Sequence, residues 1–251
     1  MNKIGICHLP LAPMRAAADD TSEMVSQILF GQSFDILEQT EKWTLVCNHD
    51  DGYKGYIGNK QFVIVGNDQF DTFNTSRKIV DSHNVSVYFT NKKITFCIPF
   101  GSILPEKNTF RLGNYEYRHN FQPREKTLLQ TAQSFLNAPY LWGGKTLFGI
   151  DCSGFTQTLF SAFGIQLPRD ASQQADKGVP VGSLDGALPG DLLFFDNDKG
   201  RIIHVGILLE KELVIHASGC VRIDNIDKKG IFNNDMGQYT HHLASVRRFG
   251  K

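Results

Sequence analysis

Through the first 120 residues, short runs of β-branched and aromatic side chains recur between turn residues. VSQILFGQSFDILEQT, KWTLVCNHDDGYKGYI and QFVIVGN place Val25, Ile28, Phe34, Ile36, Trp43 and Leu45 between Gly31, Asp51, Gly52 and Gly58. Such runs fit a pleated, half-buried surface, and the glycines and aspartates supply the turns. The pattern predicts a small β-barrel over residues 1–66. KIVDSHNVSVYFT, KKITFCIPFGSILP and TFRLGNYEYR continue the style. They predict a second barrel of the same kind over 67–122, although the two stretches share no residue-by-residue repeat.

At Pro123 the period changes. PREKTLLQTAQSFLNAP sets Leu128, Leu129, Ala132, Phe135 and Leu136 at helical spacing, with proline near each end. The third segment, 123–251, then gives a loop, a second helix and a run of strands: GDLLFFD, RIIHVGILLE, ELVIHAS, CVRID and ASVRRF. Polar turns such as Asn197–Gly200 imply an antiparallel meander. The expected class is α+β, with N-terminal helices packed on an antiparallel sheet, preceded by two small β-barrels.

Composition narrows the partners. The 251 residues are 41% hydrophobic, and 26 basic side chains balance 26 acidic ones. A neutral chain lacks the electrostatic footprint that nucleic acid or an anionic membrane requires. No apolar run approaches bilayer length, and the N-terminal patch is broken by His8, Pro10 and Pro13. Five scattered cysteines make no disulfide framework. Together these features lead us to expect a soluble cytoplasmic monomer without a signal peptide.

One cysteine stands apart. In WGGKTLFGIDCSGFTQTLF, Asp151 is a good N-cap, and Phe155, Leu159, Phe160 and Phe163 recur at helical spacing until Gly164. Cys152 therefore opens a helix, where unpaired amides and the helix dipole favour a thiolate and can hold an oxyanion. The glycines before it are expected to leave room for an extended substrate. Cys7, Cys47, Cys97 and Cys220 read as small buried hydrophobes in apolar strands.

A nucleophile needs a base. If the turn joining RIIHVGILLE to ELVIHAS is centred on Glu210, His204 and His216 stand opposite one another on one face. His204 then abstracts the thiol proton and His216 orients its ring. Two histidines and a cysteine also form a zinc set, but no close ligand pair such as CxxC or HxxxH supports it, so neither metal nor cofactor is expected. His8, His49, His83, His119, His241 and His242 read as ordinary surface or loop residues.

These residues closely resemble the NlpC family of papain-like cysteine peptidases, which cut bacterial cell-wall peptides. PYLWGG, GIDCSGF, LPRDASQQ, PGDLLFF, HVGILL and VIHASG follow in order between about 124 and 251. The resemblance implies Cys152 as nucleophile, His204 as general base, His216 as the third member, and Tyr140 as a hydroxyl donor to the oxyanion. The first 120 residues resemble the two bacterial SH3-like domains found in the γ-D-glutamyl-L-diamino acid endopeptidases of that family.

That subgroup takes peptides with a free N-terminal L-alanine. The resemblance places the ammonium with Glu23 and Asp170, Tyr53 nearby, and the γ-D-glutamyl group with Trp142, Asp151 and Ser153. Ala171 replaces a serine common there, which removes one hydroxyl contact. The residues alone leave simpler roles open: Glu23 as a solvated charge, Tyr53 as a turn residue with Tyr56 in its place, and Asp170 as a helix cap. The implied activity is hydrolysis of the γ-D-glutamyl to diamino acid bond in peptidoglycan-derived peptides, in wall recycling or turnover. An amidase cutting the muramyl-alanine bond, or a wall-binding protein without activity, are the alternatives.

Overall fold

The computed structural model describes residues 3–124 and 126–250 and divides into two compact units, whose boundary along the chain falls between residues 125 and 126. Among the described residues, no helix is long and apolar enough to cross a membrane.

In the first unit, β1 (Lys3–Cys7), β2 (Leu11–Arg15), β3 (Met24–Leu29), β4 (Ser33–Gln39), β5 (Trp43–Asn48), β6 (Lys54–Gly58) and β7 (Phe62–Val65) form one sheet. Its order is β3-β2-β6-β5-β4-β1-β7, and every pairing is antiparallel. Alternation along these strands buries Ala12, Met14, Ile28, Phe34, Val46 and Ile57 together.

A helix that the strand pattern hid, α1 (Asn67–Thr75), follows. Then come β8 (Arg77–Ile79), β9 (Val85–Phe89), β10 (Ile94–Ile98), β11 (Ile103–Pro105), β12 (Thr109–Leu112) and β13 (Tyr115–His119). They form a four-stranded sheet, β10-β9-β13-β12, and a separate β11-β8 pair. The second stretch is not a self-contained barrel, because its core of Val80, Val87, Leu104 and Tyr117 is completed by Ile6, Phe30 and Val65 from the first. Phe30 meets the Tyr117 ring edge-on at 5.7 Å.

The second unit begins with α2 (Leu128–Gln133), held by a capping box between Thr127 and Gln130. It is shorter than its apolar period because Asn137 turns left-handed (φ 66°) and the chain leaves to pair with a strand. Asn137 N donates to Val221 O, and Tyr140 N to Gly219 O. A small hairpin, β14 (Lys145–Thr146) and β15 (Gly149–Ile150), leads into α3 (Cys152–Ser161) and α4 (Ala171–Ala175). Seven strands complete the unit: β16 (Val179–Val181), β17 (Leu192–Asp196), β18 (Ile202–Glu210), β19 (Leu213–Ser218), β20 (Cys220–Ile226), β21 (Gly230–Asn233) and β22 (Gln238–Arg248).

These strands correct the expected α+β class of helices laid on an open sheet. The protein is mostly β, its described helices are few and short, and the meander closes on itself because β22 pairs with both β17 and β21. Six strands, β17 to β22, thus form a barrel, with β16 added outside on β22. Closure removes the exposed edges that an open sheet leaves. The interior is filled by Leu193, Phe195, Leu208, Val214, Ile226 and Ile231. Each such side chain contributes about 1.5–3 kcal/mol on burial. Residues of the other parity, including Val205, Ile207 and Ile215, are equally buried. On that side α3 packs against β18 and β19, and its Phe155 meets Phe135 at 5.5 Å.

Candidate active site

Asp151 starts α3, as the sequence predicts, by accepting a hydrogen bond from Gly154 N at 2.6 Å. Its carboxylate does more. It accepts from Gly143 N at 2.8 Å and from both terminal nitrogens of Arg169, at 3.1 and 2.5 Å. Arg169 also donates to Ser153 Oγ at 2.9 Å. Only 2% of Arg169 is exposed, so this is a buried, bidentate pair that ties the 143–144 loop to the helix start. The approach glycines serve packing. A Cβ on Gly154 would overlap the Gly144 carbonyl, so the loop lies directly on the helix.

Cys152 sits at the first position of α3, buried, with the Val205 amide directed at its sulfur. Its pKa is not lowered as the helix start alone predicts. Burial pushes the thiol up to about 12, and the Asp151 charge adds to this against the amides of Val205 and Ser153. Burial likewise holds His204 well below its ordinary value, helped by His216 and His241. Both shifts favour the uncharged forms, a thiol and an imidazole.

His204 and His216 are in contact, but not by the register first expected. Glu210 pairs with Leu213 through a tight turn in which Glu212 is left-handed (φ 74°), and an irregularity between Leu208 and Glu210 shifts the ladder. His216 consequently stands opposite Gly206, with His204 as its diagonal neighbour. His204 Nε2 and His216 Nδ1 lie 2.8 Å apart, and the rings meet nearly at right angles.

Three members of the site were missed. Asp224 Oδ2 lies 3.0 Å from His216 Nε2 and is itself held by Arg222, whose Nε donates to Oδ2 at 2.6 Å and Nη2 to Oδ1 at 2.8 Å. Asp224 is 1% exposed. His241, read as a surface residue, stacks on His204 with ring centroids 4.2 Å apart. Burial, with His216 nearby, lowers its pKa to about 4. The signal for Asp224 was alternation: in VIHASGCVRID, Asp224 shares the parity of Arg222, which pairs with His216.

The remaining candidates fall in different places. Tyr140 is half-buried where residues 139–140 bridge to Cys220 and Ile150, and its hydroxyl is pushed up to about 12 by burial and by Cys152. Trp142 is 59% exposed on the next loop. Asp170 occupies the N-cap position of α4 without a capping hydrogen bond from its side chain. Glu23 and Tyr53 belong to the first unit. The Glu23 carbonyl accepts from Ala16 N just ahead of β3, and the Tyr53 ring packs on the core of the first sheet. Cys97 is exposed and His119 buried, both contrary to expectation. All five cysteines are free thiols. No metal-binding group of His, Cys, Asp or Glu occurs among the described residues.

Comparison with known proteins bears on this arrangement. Residues 137–240 match the NlpC/P60 family, and residues 14–62 match a bacterial dipeptidyl-peptidase SH3 domain. A γ-D-glutamyl-L-lysine dipeptidyl-peptidase of Bacillus cereus is 28% identical, the match covering 92% of this chain and 76% of that protein. A protein of the same name from Bacillus subtilis is 48% identical over 36% of this chain and 31% of its own length. The crystal structure of an NlpC/P60 family protein from Bacillus cereus shares the fold, with a TM-score of 0.79 and 21% identity over 98% of this chain and 99% of that one.

Proposed function

We propose that this chain, an NlpC/P60 family member with a bacterial SH3 domain at residues 14–62, is a cysteine peptidase that hydrolyses the γ-D-glutamyl to diamino acid bond of peptidoglycan-derived peptides. The observation that carries the reading is a thiol at the start of α3 beside the residue that follows His204, with His204 bonded to His216.

Because His204 Nε2 is engaged by His216, Nδ1 is the nitrogen left to act as base. The Cys152 proton passes to Nδ1 as the sulfur attacks the γ-carbonyl. With both groups neutral at rest, proton transfer and attack go together. The oxyanion is met by the Cys152 amide and the Tyr140 hydroxyl, which burial keeps protonated as a donor. The protonated His204 gives its proton to the departing amine of the diamino acid, leaving a thioester. Water, deprotonated by His204, then releases the L-Ala-γ-D-Glu product and the thiol is restored.

Asp151, occupied by Arg169 and two amides, contributes by holding the floor of the site with Ser153, while Trp142 offers an exposed apolar face to the glutamyl group. Resemblance nominates Asp170 for the free ammonium of L-alanine. The relatives' names specify lysine as the diamino acid, so both lysine and diaminopimelate belong in the test. The test incubates the protein with L-Ala-γ-D-Glu-diamino acid peptides, their N-acetylated forms and muramyl-linked forms, with products identified by mass. Release of L-Ala-D-Glu from the free peptides alone is expected. Equal cleavage of the blocked forms would remove the free-amine requirement, and release of muramic acid would replace the reading with an amidase.

A further inference from the structure

A polar cluster extends past the residues that the mechanism uses. From His216 it continues to Asp224, Arg222 and Asp235, through contacts of 3.0, 2.6 and 2.7 Å. Arg222 and Asp224 lie on β20, His216 on β19, His204 on β18 and His241 on β22, with Asp235 in the turn after β21. We propose that Asp224 is a positioning residue: its carboxylate fixes the tautomer of His216 and, through it, the tautomer of His204. This rests on the reading of Cys152 and His204 as nucleophile and base.

Donors and acceptors along the cluster match in only one way. An ionised carboxylate only accepts hydrogen bonds. Burial alone would raise the Asp224 carboxyl, but the hydrogen bonds from His216 and Arg222 outweigh it and hold its pKa below the ordinary value. Asp224 is therefore an acceptor, and His216 carries its proton on Nε2. With its one proton on Nε2, the His216 ring presents a bare Nδ1 to His204 Nε2, 2.8 Å away. The contact is a hydrogen bond only if His204 carries its proton on Nε2. What remains on His204 is an unprotonated Nδ1, the base that Cys152 requires.

Arg222 makes the arrangement one-way. It donates to both carboxylate oxygens, so the Asp224 side chain has no position at which a donor of its own is tolerated. An asparagine there would put its NH2 against Arg222, or against His216 Nε2, where it would invert both rings. When His204 is protonated during catalysis, its Nε2–H stays on His216 and the His216 Nε2–H stays on Asp224. The carboxylate thus stabilises the imidazolium two rings away without taking a proton. His241, stacked on the face of His204, is uncharged at neutral pH and adds no repulsion to that step.

The direct test is the histidine tautomers in the full chain carrying Cys152→Ala, which removes the thiol as a proton donor. Long-range 1H–15N correlation of 15N-labelled imidazoles at pH 7.5 is expected to find Nε2–H on both His204 and His216. A proton on Nδ1 of His216 would overturn the proposal, whatever any Asp224 variant does. In the active protein, Asp224→Asn is expected to lower kcat by about 10- to 100-fold, the range for residues that orient a ligand or base from behind. KM should stay within about twofold, and in the imidazole spectrum His216 should lose population from Nε2–H to Nδ1–H. Unchanged kcat in a folded Asp224→Asn protein would also overturn it. Full activity in Cys152→Ala would instead defeat the reading on which the proposal rests, so the two failures are told apart.

Discussion

Gly206 stands directly opposite His216 across β18 and β19, and the missing side chain is what lets the His216 ring reach diagonally to His204. A Cβ at Gly206 would lie 2.6 Å from Val214 Cγ2 and 3.1 Å from His216 Cβ. Gly206→Ala should therefore displace both neighbours. We expect a loss of about 1–3 kcal/mol in stability, the usual cost of overpacking, measured by denaturant unfolding. kcat should fall by more than the unfolded fraction explains, because the His204–His216 bond is strained as well. Unchanged kinetics would mean that the ring contact does not depend on this glycine.

The thiol's environment predicts how it alkylates. Burial and the Asp151 charge push Cys152 up to about 12, so its thiolate fraction at neutral pH is small. Iodoacetamide labelling of the peptide containing Cys152 should accelerate about tenfold per pH unit from 6 to 9. Exposed Cys97 serves as the internal comparison. A flat rate from pH 5 upward would reveal a resting thiolate–imidazolium pair in place of two neutral groups.

Acid stability follows from the histidines with a definite sign. In the folded protein His204 lies well below its ordinary value and His241 at about 4, whereas in the unfolded chain both titrate near 6.5. Below that value the unfolded chain binds protons that the folded one refuses, so stability declines as pH falls from about 6.5 toward 4. Unfolding midpoints at pH 7.5, 6, 5 and 4.5 should descend in that order. His241→Phe, which keeps a ring on His204, should flatten the decline.

The floor of the site tests burial of charge. Arg169→Met should cost about 3–5 kcal/mol, because it strands the buried Asp151 carboxylate while preserving volume. Thermal unfolding checks the loss. A change under about 1 kcal/mol would show that the two backbone amides suffice to hold Asp151.

What could be read from sequence was local. The Asp151 cap, the start of α3 at Cys152 and the turn at Asn197–Gly200 each depend on a few consecutive residues, and each is present. The barrel was not legible, since its closure joins β17 to β22 over some fifty residues of chain and leaves no period behind. His241 and Asp224 were missed for the same reason: only closure brings β22 beside His204, and only the β19–β20 register carries Asp224 under His216. The His204–His216 contact was anticipated from a register that proved wrong. The irregular turn moved the pairing by two residues, and Gly206 allowed the rings to meet regardless. The thiol pKa went the other way from expectation because burial outweighs the helix start, and burial depends on β18, far along the chain.

A thioester between Cys152 and the γ-D-glutamyl carbonyl is the intermediate on which the proposed reaction depends. It is tested most directly by mixing the protein with L-Ala-γ-D-Glu-diamino acid peptide, quenching in acid within milliseconds, and mapping the protein by mass. An L-Ala-D-Glu adduct is expected on the peptide containing Cys152, absent in Cys152→Ala, which should also lose hydrolysis by at least about a thousandfold. Hydrolysis at the full rate in Cys152→Ala, with no adduct on the native protein, would contradict it.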